Sequence, residues 1–327
     1  MEELTPNYIP EQDPNPLAGL IDQIKEHTSK VIVGQEDMIE QLLAALLADG
    51  HILIEGVPGV AKTLTAKVLA KLVNVRFSRI QFTPDLMPSD VVGTSVFNPQ
   101  TATFQFKAGP VFSNIVLIDE INRAPAKTQA ALFEVMEEKQ VTVDGLTHKM
   151  QAPFMVVATQ NPIEHEGTYR LPEAQLDRFI IKITVGYPTQ EQEVQILQRH
   201  DTQSITETLN ELQAIVTPEI LASARATVRQ TTIDPKLMEF IARIVVETRS
   251  DRSLFLGASP RASIAIMQLS KAFAVLEGRT FVIPEDILRA VNPVLRHRVS
   301  LTPEREMEGA STDDVLKELM TRLEIPR

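Results

Sequence analysis

The chain has 327 residues, 43% hydrophobic and 23% charged, with 43 Asp and Glu against 32 Lys and Arg and a net charge of −11. That length suggests two domains with ample chain for a core, and the acidic balance argues against wrapping nucleic acid by phosphate neutralisation. Cysteine is absent, which excludes disulfides, thiolate metal sites and cysteine nucleophiles.

Met1-Glu2-Glu3 is acidic and no apolar signal-type segment follows it; no apolar run is long enough to span a bilayer. The expectation is a cytoplasmic protein with no integral membrane segment. Residues Met1 to Pro16, rich in Pro, Asn and Glu, read as a loose arm. Leu17, Leu20, Ile21 and Ile24 form a helical stripe over Leu17–Thr28, and a second helix is expected over Met38–Ala48. His51-Ile52-Leu53-Ile54-Glu55 reads as a buried strand, and Leu64–Val73 as a helix. Val75–Phe82 alternates as a strand, and Pro84 and Pro88 flank a loop. Thr94–Lys107 reads as an inserted hairpin, with Asn98-Pro99 at its turn and Phe104 and Phe106 on one face.

Asn114–Glu120 is a buried strand ending in two carboxylates, and Ala124–Lys139 a helix. Gln140–Met150 is a second hairpin, its Asp144-Gly145 tolerant of positive φ. Met155–Pro162 is a buried strand, Gln175–Phe179 a short helix and Ile180–Val185 a strand. Alternation of strands and helices makes this half an α/β domain with a mostly parallel sheet. Beyond Tyr187-Pro188-Thr189 the pattern is almost purely helical: Gln190–His200, Ile205–Val216, Glu219–Thr227, Pro235–Thr248, Arg261–Glu277 and Pro284–Val291.

The chemistry centres on Gly56-Val57-Pro58-Gly59-Val60-Ala61-Lys62-Thr63, which stands between a strand and a helix as a phosphate-binding loop requires. Backbone N–H groups of such a loop cradle phosphate oxygens, and the helix N-terminus adds a favourable dipole. Lys62 would reach the β- and γ-phosphates and the Thr63 hydroxyl would ligate Mg²⁺. Ala61 stands where a second Gly is usual. Asp119-Glu120 lies at the C-terminal end of a buried strand, where ligands of open α/β sheets sit. One carboxylate can hold Mg²⁺ and the other can activate water, or the pair can simply cap the next loop.

Asn161 can orient water or serve as a turn residue before Pro162. Arg178 in Leu176-Asp177-Arg178-Phe179 is either a surface ion-pair donor or a finger toward a neighbour's nucleotide. Arg261 is either solvated or a second phosphate sensor supplied by the helical half. The six histidines, His27, His51, His148, His165, His200 and His297, match no metal spacing and read as structural or solvated.

In this order the motifs resemble the AAA+ ATPases and, within them, the MoxR family. The resemblance rests on the Gly56–Thr63 loop, Asp119-Glu120-Ile121-Asn122-Arg123-Ala124-Pro125, and Gly257-Ala258-Ser259-Pro260-Arg261-Ala262, with support from Ala158–Pro162 and Leu171–Phe179. It spans Ile32 to Leu301, and Ala61 is what a MoxR-type loop carries. It implies an α/β base domain over residues 1–188, with hairpins inserted near 94–107 and 140–150, and a helical lid over 189–327 covering the nucleotide.

The resemblance also implies ATP as ligand, with contacts from Gly34, Gln35, Gly56, Pro58, Gly59, Val60, Ala61, Lys62, Thr63, Leu64 and Asp119. It places Mg²⁺ at Thr63 and Asp119, makes Glu120 the catalytic base, Asn161 sensor 1, Arg178 an arginine finger acting in trans and Arg261 sensor 2. Arg170 stands where such proteins carry Pro, as a second cation that competes with Arg178. A finger supplied by a neighbour implies a ring, a hexamer by analogy, which remodels client proteins with a von Willebrand factor A domain partner. A nucleic-acid motor and a metal-chelatase motor subunit are the alternatives of similar architecture.

Overall fold

The structure, a computed structural model, describes residues 16–57, 59–161, 169, 171–202 and 204–326. Two helices, α1 (Pro16–Val31) and α2 (Glu36–Leu47), lead into β1 (His51–Gly56) and α3 (Lys62–Leu72). There follow β2 (Phe77–Gln81), α4 (Pro88–Val92), β3 (Gly93–Asn98), β4 (Thr103–Ala108), β5 (Ile115–Asp119), a 3₁₀ turn at Ile121–Arg123 and α5 (Ala126–Glu138). Then come β6 (Gln140–Val143), β7 (Leu146–Lys149), β8 (Met155–Gln160), α6 (Glu173–Leu176) and β9 (Phe179–Val185).

Five strands form one sheet in the order β2-β5-β8-β1-β9, all pairings parallel. Ile52–Ile54, Ile115–Ile118 and Met155–Ala158 are fully buried, as continuous apolar strands must be when helices cover both faces. Because all five run the same way, Gln81, Asp119, Gln160, Gly56 and Val185 end on one edge of the sheet, while His51 and Phe179 start on the other.

After Val185 the chain is helical: α7 (Gln190–Thr202), α8 (Ile205–Glu211), α9 (Pro218–Gln230), α10 (Pro235–Ser250), β10 (Leu254–Leu256), α11 (Pro260–Leu276), α12 (Pro284–Leu295), β11 (Ser300–Leu301), α13 (Pro303–Met307) and α14 (Thr312–Arg322). Proline opens each of α9 to α13; at a first helical position its missing N–H costs nothing. Buried residues from both halves, among them Leu42, Leu46, Ile52, Ile54, Leu269 and Phe273, form one apolar cluster. Leu53, Ile118, Leu132, Phe133, Val156 and Phe179 form another. Each fully buried Leu, Ile or Phe contributes about 1.5–3 kcal/mol.

Four elements differ from the sequence expectation. The helix expected at Gln175–Phe179 is Glu173–Leu176, because Phe179 pairs with His51 and starts β9 instead. Between the Pro84–Pro88 loop and the first hairpin stands α4, which no expected element covers and whose entering Met87 N–H is taken by Asp90 Oδ2 at 2.9 Å. The helix expected to reach Val216 stops at Glu211, because the N–H groups of Ile215 and Val216 both go to the Leu72 carbonyl, at 2.8 and 2.9 Å. The helical half also holds the two-stranded ribbon β10–β11, too short to leave a pattern.

Both inserted hairpins form. Asp144 and Gly145 have φ of 51° and 78°, the positive pair that a tight two-residue turn needs. Phe106 stacks on His148 with centroids 4.1 Å apart, so the two inserts touch. Phe97 and Phe104 pair across β3–β4 and stay half exposed or more.

His51 and His297 are buried structural groups. Val156 N–H donates to His51 Nδ1 at 3.0 Å, so the ring proton sits on Nε2 and faces the Met136 carbonyl at 3.1 Å. Burial pushes the His51 pKa down to about 4, and burial holds His297 well below its usual value too. A depressed histidine pKa means that the unfolded state takes the proton first. Stability is therefore full above about pH 6.5 and is lost as pH falls toward 4, by about 3 kcal/mol for His51 alone. Urea midpoints at pH 7.5 and 5 should show this loss, and His51→Gln should narrow the gap. An equal gap in both proteins would contradict the assignment.

Candidate active site

β1 ends at Gly56, where an added Cβ would lie 2.7 Å from the Val185 carbonyl, so only glycine lets β9 pass this closely. Gly59 and Ala61 have φ of 88° and 58°. The left-handed Ala61 costs about 1–2 kcal/mol that glycine would avoid, and it sets the N-terminus of α3, which begins at Lys62. Lys62 Nζ donates back to the Gly56 carbonyl at 2.6 Å, so its ammonium lies over the loop. Thr63 follows in the first turn, beside Leu64. Pro58 and Arg170 lie outside the described residues.

Asp119 and Glu120 stand on the same edge, two strands away across β8. Asp119 is buried; its Oδ2 accepts from Arg79 Nε at 2.6 Å and its Oδ1 from the Thr159 hydroxyl at 3.1 Å. Glu120 has φ 56° and ψ 53°, a strained position for a side-chain-bearing residue. Its N–H donates to Thr159 Oγ1 at 3.1 Å, so one hydroxyl fixes both acids. Glu120 Oε2 receives Gln81 Nε2 at 2.8 Å and pairs with Arg123 Nε at 3.1 Å. Asn161 is buried directly after β8.

Arg79, Gln81, Thr159 and Arg123 were not singled out from sequence. The one signal was register: Gln81 is the strand partner of Asp119.

These groups suit a nucleotide with its metal. Among the described residues no cluster of three or more His, Cys, Asp or Glu could hold a cation unaided. Asp119 uses two of about four acceptor positions. A carboxylate and the Thr63 hydroxyl are hard oxygen donors of the kind Mg²⁺ takes when phosphates and water complete its shell.

A cavity of about 250 Å³ adjoins the loop. Ile32, Val33 and Gln35 form one wall, Gly59 to Ala61 and Leu64 the floor, and Ile196 and Ile205 of α7 and α8 the other wall. Its lining is mainly apolar, as an aromatic base requires. Gly34 turns with φ 70° beneath the Gln192 side chain, which a Cβ would strike at 2.2 Å. A larger cavity, about 730 Å³, is crossed by the Glu55–Lys182 pair at 2.6 Å and includes no residue of 56–64, so size alone does not mark the site.

Arg178 and Arg261 are placed elsewhere. Arg178 precedes Phe179, the partner of His51, and so stands at the opposite end of β1 from Gly56. Five residues of strand put about 17 Å between these ends. Arg178 Nη1 donates to the Phe133 carbonyl at 2.5 Å and lies 3.6 Å from Glu137. Arg261 Nη2 lies 3.4 Å from the same carboxylate. Within one chain the structure thus joins the loop, both acids and Asn161 on one edge, and joins Arg178 to Arg261 on the other. The helices beside the phosphate loop are α7 and α8. The Arg261 segment lines a different cavity, together with Glu137 and Arg178.

Comparison with known proteins gives the family. Residues 51–181 match the model of the ATPase family associated with various cellular activities (AAA), and residues 246–319 match the AAA lid domain. The chain is 45% identical to the uncharacterized protein YeaC of Bacillus subtilis, over 97% of each chain. It is 42% identical to Chaperone MoxR1 of Mycobacterium tuberculosis, over 91% of this chain and 80% of that one. The crystal structure of a candidate ATPase from Cytophaga hutchinsonii superposes with a TM-score of 0.87 at 42% identity, over 95% of this chain and 96% of the other. The chain belongs to the MoxR family of AAA+ ATPases.

Proposed function

We propose that this protein hydrolyses ATP with Mg²⁺ in a ring, at sites shared between neighbouring chains, and uses the cycle to remodel client proteins. The observation that carries this reading is the separation just described. One sheet edge holds a phosphate loop, a metal-side acid and a candidate base; Arg178 and Arg261 stand at the other, the length of β1 away, about 17 Å along the strand. Each edge is half of a phosphoryl-transfer site, and a second copy of the chain supplies the missing half.

In this reading Lys62 and the loop N–H groups hold the phosphates, and Thr63 and Asp119 hold the metal, which neutralises phosphate charge. Glu120, oriented by Gln81 and Arg123, takes the proton of the attacking water, and Asn161 orients that water. Arg178 and Arg261 of the next chain offset charge on the transferring phosphoryl group. Gly34 and Gln35 border the base. A hexamer, a protein client and a von Willebrand factor A domain partner come from the family resemblance; a relative named as a chaperone supports the client, as do the exposed Phe97 and Phe104. Among the described residues no helix is long and apolar enough to cross a membrane.

Lys62→Ala tests the loop. A charged hydrogen bond to phosphate contributes about 1.5–3 kcal/mol, so ATP affinity measured by calorimetric titration should fall about 10- to 100-fold. Unchanged affinity would remove the loop from nucleotide binding.

A further inference from the structure

One buried guanidinium grips the loop carrying Arg178, and Asp177 of that loop reaches the loop carrying Arg261. Arg298, just after α12, is 8% exposed. Its Nε donates to Asp177 Oδ1 at 2.6 Å, its Nη1 to the carbonyls of Ile180 at 3.0 Å and Val294 at 2.6 Å, and its Nη2 to those of Phe179 at 2.6 Å and Asp177 at 3.2 Å. All five donors of the guanidinium are engaged. Four of those bonds grip residues 177–180, the stretch that contains Arg178 and opens β9.

The free oxygen of Asp177 continues the tie. Asp177 Oδ2 accepts the Ser259 hydroxyl at 3.0 Å. Ser259 is the residue entering α11, where a serine hydroxyl ordinarily accepts from a first-turn N–H; here it makes no such cap and is turned to the base domain instead. The other side of the same loop is fixed too. The Ala258 N–H donates to Thr248 Oγ1 at 3.0 Å, and a Cβ on Gly257 would meet Arg249 Cα at 2.6 Å. Two residues beyond Ser259, Arg261 meets Arg178 across Glu137, one carboxylate oxygen facing each guanidinium. The two cations therefore span a gap of one anion.

We infer that Asp177, locked by Arg298, is a positioning residue: through Ser259 it fixes Arg261 against Arg178, so that base and lid present one two-pronged cation to the phosphate of a neighbouring chain's nucleotide. Glu137 occupies the anion's place until that phosphate arrives. The inference rests on the shared site proposed above. It makes the Arg261 segment move with the arginine edge of its own base domain and leaves α7 and α8 as the part that covers the chain's own nucleotide.

The test is steady-state ATP hydrolysis by the full chain. Ser259→Ala removes the tie without burying a charge. A lost hydrogen bond to a carboxylate, read as misplaced arginine, should lower kcat about tenfold, with KM for ATP within about twofold and Tm nearly unchanged. Ser259→Thr, which returns a hydroxyl, should restore kcat. In an Arg261→Ala background Ser259→Ala should cause no further loss, because the group it positions is gone. A wild-type kcat in Ser259→Ala, a rise in KM alone, or an equal loss in the Arg261→Ala background would overturn the inference.

The shared site is read separately, by mixing Arg178→Ala chains with Glu120→Gln chains. Absent rescue overturns both readings; rescue together with an unaffected Ser259→Ala overturns the tie alone.

Discussion

Glu120→Gln is expected to bind ATP as the wild type does and to lose turnover about 10²- to 10⁴-fold, the contribution of a positioned general base. Gln keeps the shape and can still accept from Gln81 and Arg123, so the loss isolates the missing base. The local backbone supports the choice. Glu120 is held in a left-handed conformation that costs about 1–2 kcal/mol, and Thr159 anchors its N–H. Such strain persists only where surroundings impose it, which is common at reacting centres. Rapid-filtration binding and phosphate release, measured on one preparation, check both halves of the expectation. Normal turnover would remove Glu120 from that role.

Arg178→Ala should lower kcat about 10³-fold or more, the range for a finger that neutralises transferring phosphate. Mixing it with Glu120→Gln chains should bring activity back to roughly a quarter of wild type if pairing around a ring is random. Each restored site takes Glu120 from one chain and Arg178 from the other. Arg261→Ala should be rescued by the same partner, since the structure places Arg261 beside Arg178 and away from its own phosphate loop. Arg178→Ala mixed with Arg261→Ala should stay inactive, because every interface then lacks one cation. If that last mixture regains activity, Arg261 serves its own chain's nucleotide.

The phosphate loop and the Asp119-Glu120 pair were legible in the sequence because each is a contiguous run whose spacing carries its chemistry. The strands around them were legible for the same reason: a run such as Ile115 to Ile118 is apolar at every position. What the sequence hid are contacts between distant positions. Arg79 and Asp119 are 40 residues apart, Asp177 and Arg298 121. No local pattern marks a polar side chain whose partner arrives through sheet order or helix packing. Arg261 shows the limit of motif reading, since its loop is recognisable from Gly257 to Ala262 while the edge it occupies depends on how α11 packs across the base. His51 is similar; it occupies a strand position that reads as apolar, and only the Val156 N–H and the Met136 carbonyl explain a buried imidazole there.

The central claim is that a complete site needs two chains. It is tested most directly by specific ATPase activity as a function of protein concentration, with mass measured by light scattering in the presence and absence of ATP. The account predicts that activity per chain rises with concentration and levels off as a multimer forms, and that Arg178→Ala assembles without the rise. Constant specific activity from a species of one-chain mass would contradict it, placing every catalytic group within a single chain.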